Sequence, residues 1–148
     1  SLVRHSEVMV TADWAQTEIW MSQASAIAIG PGLGQDDWAR RRFDAALARV
    51  DAGLVLDADA LNLLAQHPRT LSPRVVLTPH PGEAARLLSR KTHEIQSDRI
   101  AAARELARRY EAVVVLKGAG TVLAHPDGRI AVCAAGNPGM ARAGMGDV

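Results

Sequence analysis

Four short, continuously apolar runs divide this chain, and a polar or glycine-rich cluster follows each of them at once. The runs are residues 25–29, 54–56, 75–77 and 113–116. Strands that are buried on both faces are apolar without alternation, as parallel strands between helices usually are. Because longer segments separate the runs and some of them have helical periodicity, the pattern predicts an α/β fold with a mostly parallel central sheet, covered by helices on both faces.

Two of the intervening segments have clear helical periodicity. In residues 36–50 the apolar side chains recur at helical spacing, and the arginines beside them are expected to form a solvated flank. The apolar set is Ala39, Phe43, Ala46 and Val50, and the arginines are Arg40, Arg41, Arg42 and Arg49. Residues 97–110 form the clearest helix, capped by Ser97 or Asp98. Its predicted buried face is Ile100, Ala103, Leu106, Ala107 and Tyr110.

Shorter elements complete the expected fold. Residues 7–10 are a candidate strand, residues 13–21 a short helix, and residues 84–88 a helix with Pro81 in its first turn. After the last parallel strand, residues 121–124 and 130–133 flank Asp127-Gly128, which predicts a β-hairpin. Cys133 is expected to be a small core residue on the second strand of that hairpin.

Composition narrows the class of protein. The 148 residues carry 17 basic and 16 acidic side chains and only 3% aromatics, so we expect no nucleic-acid partner. One cysteine excludes an internal disulfide framework and a Cys-based zinc site, which favours the cytoplasm. No apolar run approaches the roughly 20 residues of a membrane span, and the start is not a signal peptide. We predict a single domain over residues 1–148, incomplete at both ends.

The clusters after the strands are the candidate ligand site, because parallel sheets bind ligands at their carboxyl ends. Residues 30–34 lack the Gly-x-Gly-x-x-Gly spacing, which disfavours a Rossmann dehydrogenase. Lys117-Gly118 lacks the residue order of a P-loop, which disfavours a P-loop NTPase. The histidines show no metal-ligand spacing. Asp57 and Asp59 either cap the turn after their strand or contact a ligand directly.

Glycine is frequent near the end of the sequence. Gly144, Met145 and Gly146 can present bare backbone N–H groups to an anion. Asp147 stands where a helix would begin, as its N-cap or as a base beside a bound phosphate. Since one residue follows Asp147 in this sequence, we expect that the 148-residue chain alone does not turn over substrate.

Taken together, the clusters at 30–34, 57–62, 78–83, 117–121, 136–140 and 144–147 closely resemble the ADP-dependent NAD(P)H-hydrate dehydratases, members of the ribokinase-like superfamily. The resemblance implies a ribokinase-like three-layer sandwich. It also implies a repair enzyme, a carbon–oxygen lyase. Such an enzyme phosphorylates the hydroxyl of hydrated NADH or NADPH from ADP or ATP with Mg²⁺, and then eliminates phosphate to restore the cofactor.

The resemblance also assigns roles to particular residues. The nucleotide would be held by Lys117, Gly118, Ala119, Gly120 and Thr121, with Gly146 near its phosphates. Asp147 would be the catalytic base and would contact the hydrated cofactor, whose site Gly32, Gly34 and His80 would line. Glu83 matches an acidic position that helps to place phosphate-bound magnesium in related kinases. His80 stands where those kinases often carry Asn, which favours the dehydratase.

Two other functions stay open at this stage. One is a ribokinase-like kinase of a small alcohol, and the other is a non-catalytic module that binds adenine nucleotides. The sequence also leaves open the preference between ADP and ATP, the oligomeric state, including a homo-oligomer, and a fused or separate epimerase domain.

Overall fold

The computed structural model describes residues 13–49 and 51–133. In these residues one helix lies between the first and second strands and one between the second and third, three helices lie between the third and fourth, and a hairpin ends the sheet. The elements are α1 (Trp14–Gln23), β1 (Ala26–Ile29), α2 (Asp37–Leu47), β2 (Gly53–Leu56), α3 (Ala58–Gln66), β3 (Val75–Leu77), α4 (Pro81–Leu88), α5 (Thr92–Ser97), α6 (Arg99–Tyr110), β4 (Val113–Leu116), β5 (Thr121–Ala124) and β6 (Ile130–Cys133). The candidate strand at 7–10 lies outside the described residues.

The strands form one sheet in the order of the chain, β1-β2-β3-β4-β5-β6. The first four are parallel, with Leu56 opposite Leu77 and Leu77 opposite Val114. The last two are antiparallel, as the predicted hairpin requires. The mostly parallel sheet and the hairpin are therefore confirmed.

Burial alternates along the central strands, which shows that their two faces have different neighbours. Leu54, Leu56, Leu77, Val114 and Leu116 are buried and join the helices in one core cluster, whereas the residues between them are only half-buried. Right-handed crossovers between consecutive neighbouring strands all place their helices on the same face. The helices that connect β1 to β4 therefore lie on one face of the described sheet, and the cluster of buried side chains lies between them and the strands.

The predicted face of α2 is largely confirmed. Ala39, Phe43 and Ala46 are fully buried, while Val50 lies outside the described residues. Asp36 caps the helix by accepting a hydrogen bond from the Ala39 N–H at 2.8 Å.

The arginine flank of α2 is only partly a solvated surface. Arg40 and Arg41 are exposed as expected. Arg42 is half-buried, however, and its guanidinium carbon lies 3.4 Å from the ring centre of Trp14 and 4.7 Å from that of Trp38. Arg42 therefore joins α1 to α2 by cation–π stacking.

The long helix α6 ends where the sequence predicted, and its cap is Asp98, which accepts from the Ala101 N–H at 2.9 Å. Its predicted buried face is confirmed except at Ile100, which is 43% exposed. At 100° per residue Ile100 lies roughly 90° from the centre of the buried arc, which explains the error.

Cys133 is also a correction, because it is exposed rather than part of the core. It lies opposite Thr121 on the outer strand of the described sheet. None of the helices in the described ranges is long and apolar enough to cross a membrane.

Candidate active site

Backbone hydrogen bonds bring the clusters that follow the strands to one edge of the sheet. The Asp57 N–H donates to the Ile29 carbonyl at 3.1 Å, and the Thr78 N–H donates to the Leu56 carbonyl at the same distance. The Lys117 N–H donates to the Pro79 carbonyl at 2.8 Å. The loops after β1, β2, β3 and β4 are therefore adjacent, as the parallel sheet predicted.

An ion pair crosses this edge from β2 to β4. The Lys117 Nζ lies 2.9 Å from Asp57 Oδ1 and 3.2 Å from Oδ2. The Lys117 side chain is 32% exposed and the Asp57 side chain 14%. Asp57 occupies the N-cap position of α3, but its side chain makes no capping hydrogen bond. Its carboxylate instead holds the ammonium group of Lys117 over the end of β3.

A cavity of about 350 Å³ lies beside this ion pair. Its walls come from the less buried face of the sheet, and its polar end from the strand termini. It is lined by Ala28, Ile29, Pro31, Val55, Asp57, Thr78, Val115 and Lys117. An apolar wall beside a few convergent polar groups is the usual character of a small-molecule site.

A larger cleft lies elsewhere in the described part of the chain. It measures about 640 Å³ and is lined by three arginines, two hydroxyl side chains and apolar residues near the starts of β2 and β3; the polar members are Arg49, Arg69, Thr70, Ser72 and Arg74. It holds none of the residues that the sequence predicted for a site. Volume alone therefore does not locate the chemistry of this protein.

The loop after β1 is shaped by close packing against β2. Gly30 has φ of +140°, and a Cβ on it would lie 1.7 Å from the Asp57 carbonyl oxygen, so only glycine fits. The Gly34 N–H donates to Asp59 Oδ2 at 2.9 Å. Gly32 faces open space. The loop of both predicted substrate glycines thus lies at the site edge, and Asp59 anchors it.

His80 and Glu83 together cap the start of α4. The His80 Nδ1 accepts from the Gly82 N–H at 2.9 Å and from the Glu83 N–H at 3.3 Å. The Glu83 Oε2 accepts from the His80 N–H at 2.8 Å. Glu83 is buried, whereas the His80 side chain is 49% exposed. The His80 Nε2 also lies 3.4 Å from Glu83 Oε1, so the two side chains are held together at the cap, and about half of the His80 side chain stays open to a ligand.

The loop after β4 has an unusual distribution of hydrogen bonds. Arg99 donates to the carbonyls of Leu116 at 3.1 Å and Lys117 at 3.3 Å, and also to that of Ala119. The Thr121 hydroxyl donates to the Gly118 carbonyl at 3.3 Å. In residues 13–49 and 51–133, the N–H groups of 118, 119 and 120 meet no acceptor. The loop thus offers donors to a ligand while its carbonyls are engaged.

Other predicted residues cannot be placed. Asp147, the predicted base, and the anion site Gly144, Met145 and Gly146 lie outside the described residues. Sequence reasoning missed Arg99 and left the partner of Asp57 open. Both make their contacts with residues far along the chain, for which a single sequence carries no signal.

The fold defines the class of protein to which this site belongs. A solved ribokinase-like superfamily protein from Enterococcus faecalis matches with a TM-score of 0.78 and 31% identity, over 90% of this chain and 47% of that chain. The fold is therefore ribokinase-like, as the resemblance implied. The sequence model of the NAD(P)H-hydrate dehydratases matches residues 2–148, so the chain belongs to the NAD(P)H-hydrate dehydratase family.

Further relatives agree with this assignment. The bifunctional NAD(P)H-hydrate repair enzyme Nnr of Coxiella burnetii is 48% identical over 128 residues, which are 86% of this chain and 26% of that protein. The solved ADP/ATP-dependent NAD(P)H-hydrate dehydratase of Bacillus subtilis, co-crystallised with ATP/Mg²⁺, is 38% identical with a TM-score of 0.73. That match covers 88% of this chain and 48% of the solved chain. The chain thus spans about a quarter of the curated relative and half of the solved enzyme.

Proposed function

We propose that this chain carries the nucleotide loop and much of the substrate edge of an ADP- or ATP-dependent NAD(P)H-hydrate dehydratase. The observation that carries the proposal is the loop after β4, whose N–H groups at 118, 119 and 120 meet no acceptor among the described residues, beside an ammonium–carboxylate pair. The family and the solved Bacillus subtilis enzyme supply the reaction class.

The nucleotide binds at the loop after β4 in this proposal. The N–H groups of Gly118, Ala119 and Gly120 are hydrogen-bond donors to its acceptor atoms, and Gly118 and Gly120 adopt positive φ that allows a close approach. Lys117 supplies a point charge for a phosphate group. Asp57 holds that charge at the carboxyl edge, where transferring oxygens develop charge.

The hydrated nicotinamide binds on the neighbouring loops. Gly32 leaves open space at this edge, and the side chain of His80, which caps α4, is half-exposed. Asp147, which would contact both the substrate and its hydroxyl proton, is the proposed base. A free Asp has a pKa of about 3.9, so it accepts the proton only as the O–P bond forms.

The proposed reaction has two steps, a phosphoryl transfer and an elimination. The substrate hydroxyl oxygen bonds to the terminal phosphorus, its proton passes to Asp147, and the nucleotide leaves one phosphate shorter. The C–O bond next breaks with loss of inorganic phosphate and a neighbouring proton, which restores the ring double bond. Gly144, Met145 and Gly146 are proposed to stabilise the phosphate charge through their N–H groups, with Gly146 near the nucleotide.

Magnesium is proposed to enter with the nucleotide. Within 13–49 and 51–133, no group of three His, Cys, Asp or Glu side chains could hold a metal ion. Mg²⁺ commonly binds phosphate oxygens and water together with one or two carboxylates, so a protein-only cage is not required. The contacts of Glu83 are those of a helix cap and lend no support to its predicted indirect role.

Partners and location remain proposals for the full-length protein. The Coxiella burnetii relative is bifunctional, and this chain covers 26% of it, which supports a fused or partner epimerase that supplies the correct hydrate. We keep the cytoplasm as the compartment and a small molecule as the substrate. A homo-oligomer remains open.

The test follows recovery of NADH absorbance when the full-length protein meets hydrated NADH, ADP or ATP, and Mg²⁺. Lys117→Met should raise the KM for nucleotide about tenfold or more, because a phosphate contact is lost. Lys91→Met removes the other lysine of the chain from an exposed position and should behave as wild type. No recovery of NADH, or a stable phosphoester product, would refute the dehydratase and favour a kinase.

A further inference from the structure

Arg99 binds backbone carbonyl groups of the loop after β4. It is the first residue of α6, and its guanidinium donates to the carbonyls of Leu116, Lys117 and Ala119. Its Nε is buried without a partner among the described residues. A planar guanidinium presents several donors in a fixed fork, so one side chain can hold three carbonyls at once.

The hydrogen bonds to the loop carbonyls determine which backbone groups of the loop remain available to a ligand. Thr121 occupies the Gly118 carbonyl, so the carbonyls of 116 to 119 all have donors. In a peptide unit the N–H points opposite to the C=O. Holding the Lys117 and Ala119 carbonyls on Arg99, and the Gly118 carbonyl on Thr121, turns the N–H groups of 118 to 120 away from these donors, and no acceptor among the described residues meets them.

Gly118 leaves room for the Arg99 guanidinium. A Cβ on Gly118 would lie 2.9 Å from the Arg99 Nη2, and Gly118 has φ of +143°. The guanidinium thus occupies the space that any side chain at 118 would fill. The positive φ already favours glycine at 118, and the absent side chain also leaves the space that the guanidinium fills.

We propose that Arg99 is a positioning residue for the adenine nucleotide, which it does not touch. It holds the carbonyl side of loop 117–121 so that the N–H side is preorganised for the ligand. The inference rests on the proposed function, since the ligand is the nucleotide of that reaction. A lysine cannot replace the fork, because an ammonium is a point charge without planar geometry.

The experiment compares Arg99→Met with Arg108→Met in the full-length protein. Arg108 is an exposed arginine on the same helix, so its variant controls for loss of charge from α6. For Arg99→Met we expect the KM for ADP to rise about tenfold, with kcat and the KM for hydrated NADH within about twofold. Without nucleotide, trypsin should also cleave faster after Lys117, because the loop has lost its anchor.

The outcomes separate this inference from the proposed function. Equal KM values for ADP in the two folded variants, or a fall in kcat alone, overturn the role of Arg99. If Arg99→Met does not fold, Arg99→Lys replaces it, with a smaller rise in KM expected and no rise refuting. If the wild type fails to use nucleotide, the proposed function fails, and the trypsin rate after Lys117 alone decides whether Arg99 holds the loop.

Discussion

The ion pair between Lys117 and Asp57 gives a prediction whose size follows from burial. Exposed pairs contribute about 0.2–1 kcal/mol, and breaking a fully buried pair costs about 3–5 kcal/mol. With side chains 32% and 14% exposed, this pair lies between those limits. We therefore expect a coupling energy of about 1–2 kcal/mol between Lys117→Met and Asp57→Asn.

A double-mutant cycle measured by urea unfolding tests this value. The matched control is the pair Arg90–Glu105, whose atoms lie 2.8 Å apart but whose side chains are 43% and 42% exposed. Its cycle, with Arg90→Met and Glu105→Gln, should give about 0.5 kcal/mol or less. A Lys117–Asp57 coupling no larger than the control would refute the burial argument.

The same variants test whether Asp57 positions the ammonium group for the ligand. Asp57→Asn keeps the volume of the side chain and leaves Lys117 charged but without its anchor. Nucleotide affinity should then fall about threefold, less than for Lys117→Met, because the charge survives and only its placement is lost. Unchanged affinity for Asp57→Asn would limit Asp57 to a role in stability.

Three other perturbations follow from individual contacts. Gly30→Ala should cost about 3 kcal/mol or more and lower the melting temperature, because its Cβ would meet a carbonyl oxygen at 1.7 Å; a near-normal melting temperature would contradict this. Tyr110→Phe should cost about 1–2 kcal/mol in urea unfolding, because the buried hydroxyl donates to the Leu87 carbonyl at 3.1 Å; no loss would show that water replaces it. The pKa of Asp127 is lowered, and the largest cause is the hydrogen bond that its carboxylate accepts from the Arg129 backbone N–H. Asp127 therefore stabilises the fold above the unfolded pKa of about 3.9, and Asp127→Asn should lose stability at neutral pH, with a difference from wild type that fades as pH falls below that value.

Local patterns predicted most of the elements. The apolar runs became β1 to β4, and the turn residues Asp127-Gly128 became the connection of the β5–β6 hairpin. Two helices were missed. In α3 the polar residues of 57–62 concealed a helical set that is buried, Ala60, Leu61, Leu63 and Leu64. The six-residue α5 buries only Ile95, too little to give a periodic signal.

The sequence by itself determined the four parallel strands and the edge of the sheet at which the polar clusters meet. These follow from local hydrophobicity and from a general property of parallel sheets. Only the tertiary structure decided which charges meet there. Lys117 reaches Asp57 across 60 residues of chain, and Arg99 reaches Ala119 across 20. Such contacts depend on strand register and helix placement, because they join side chains whose separation in sequence carries no geometric information.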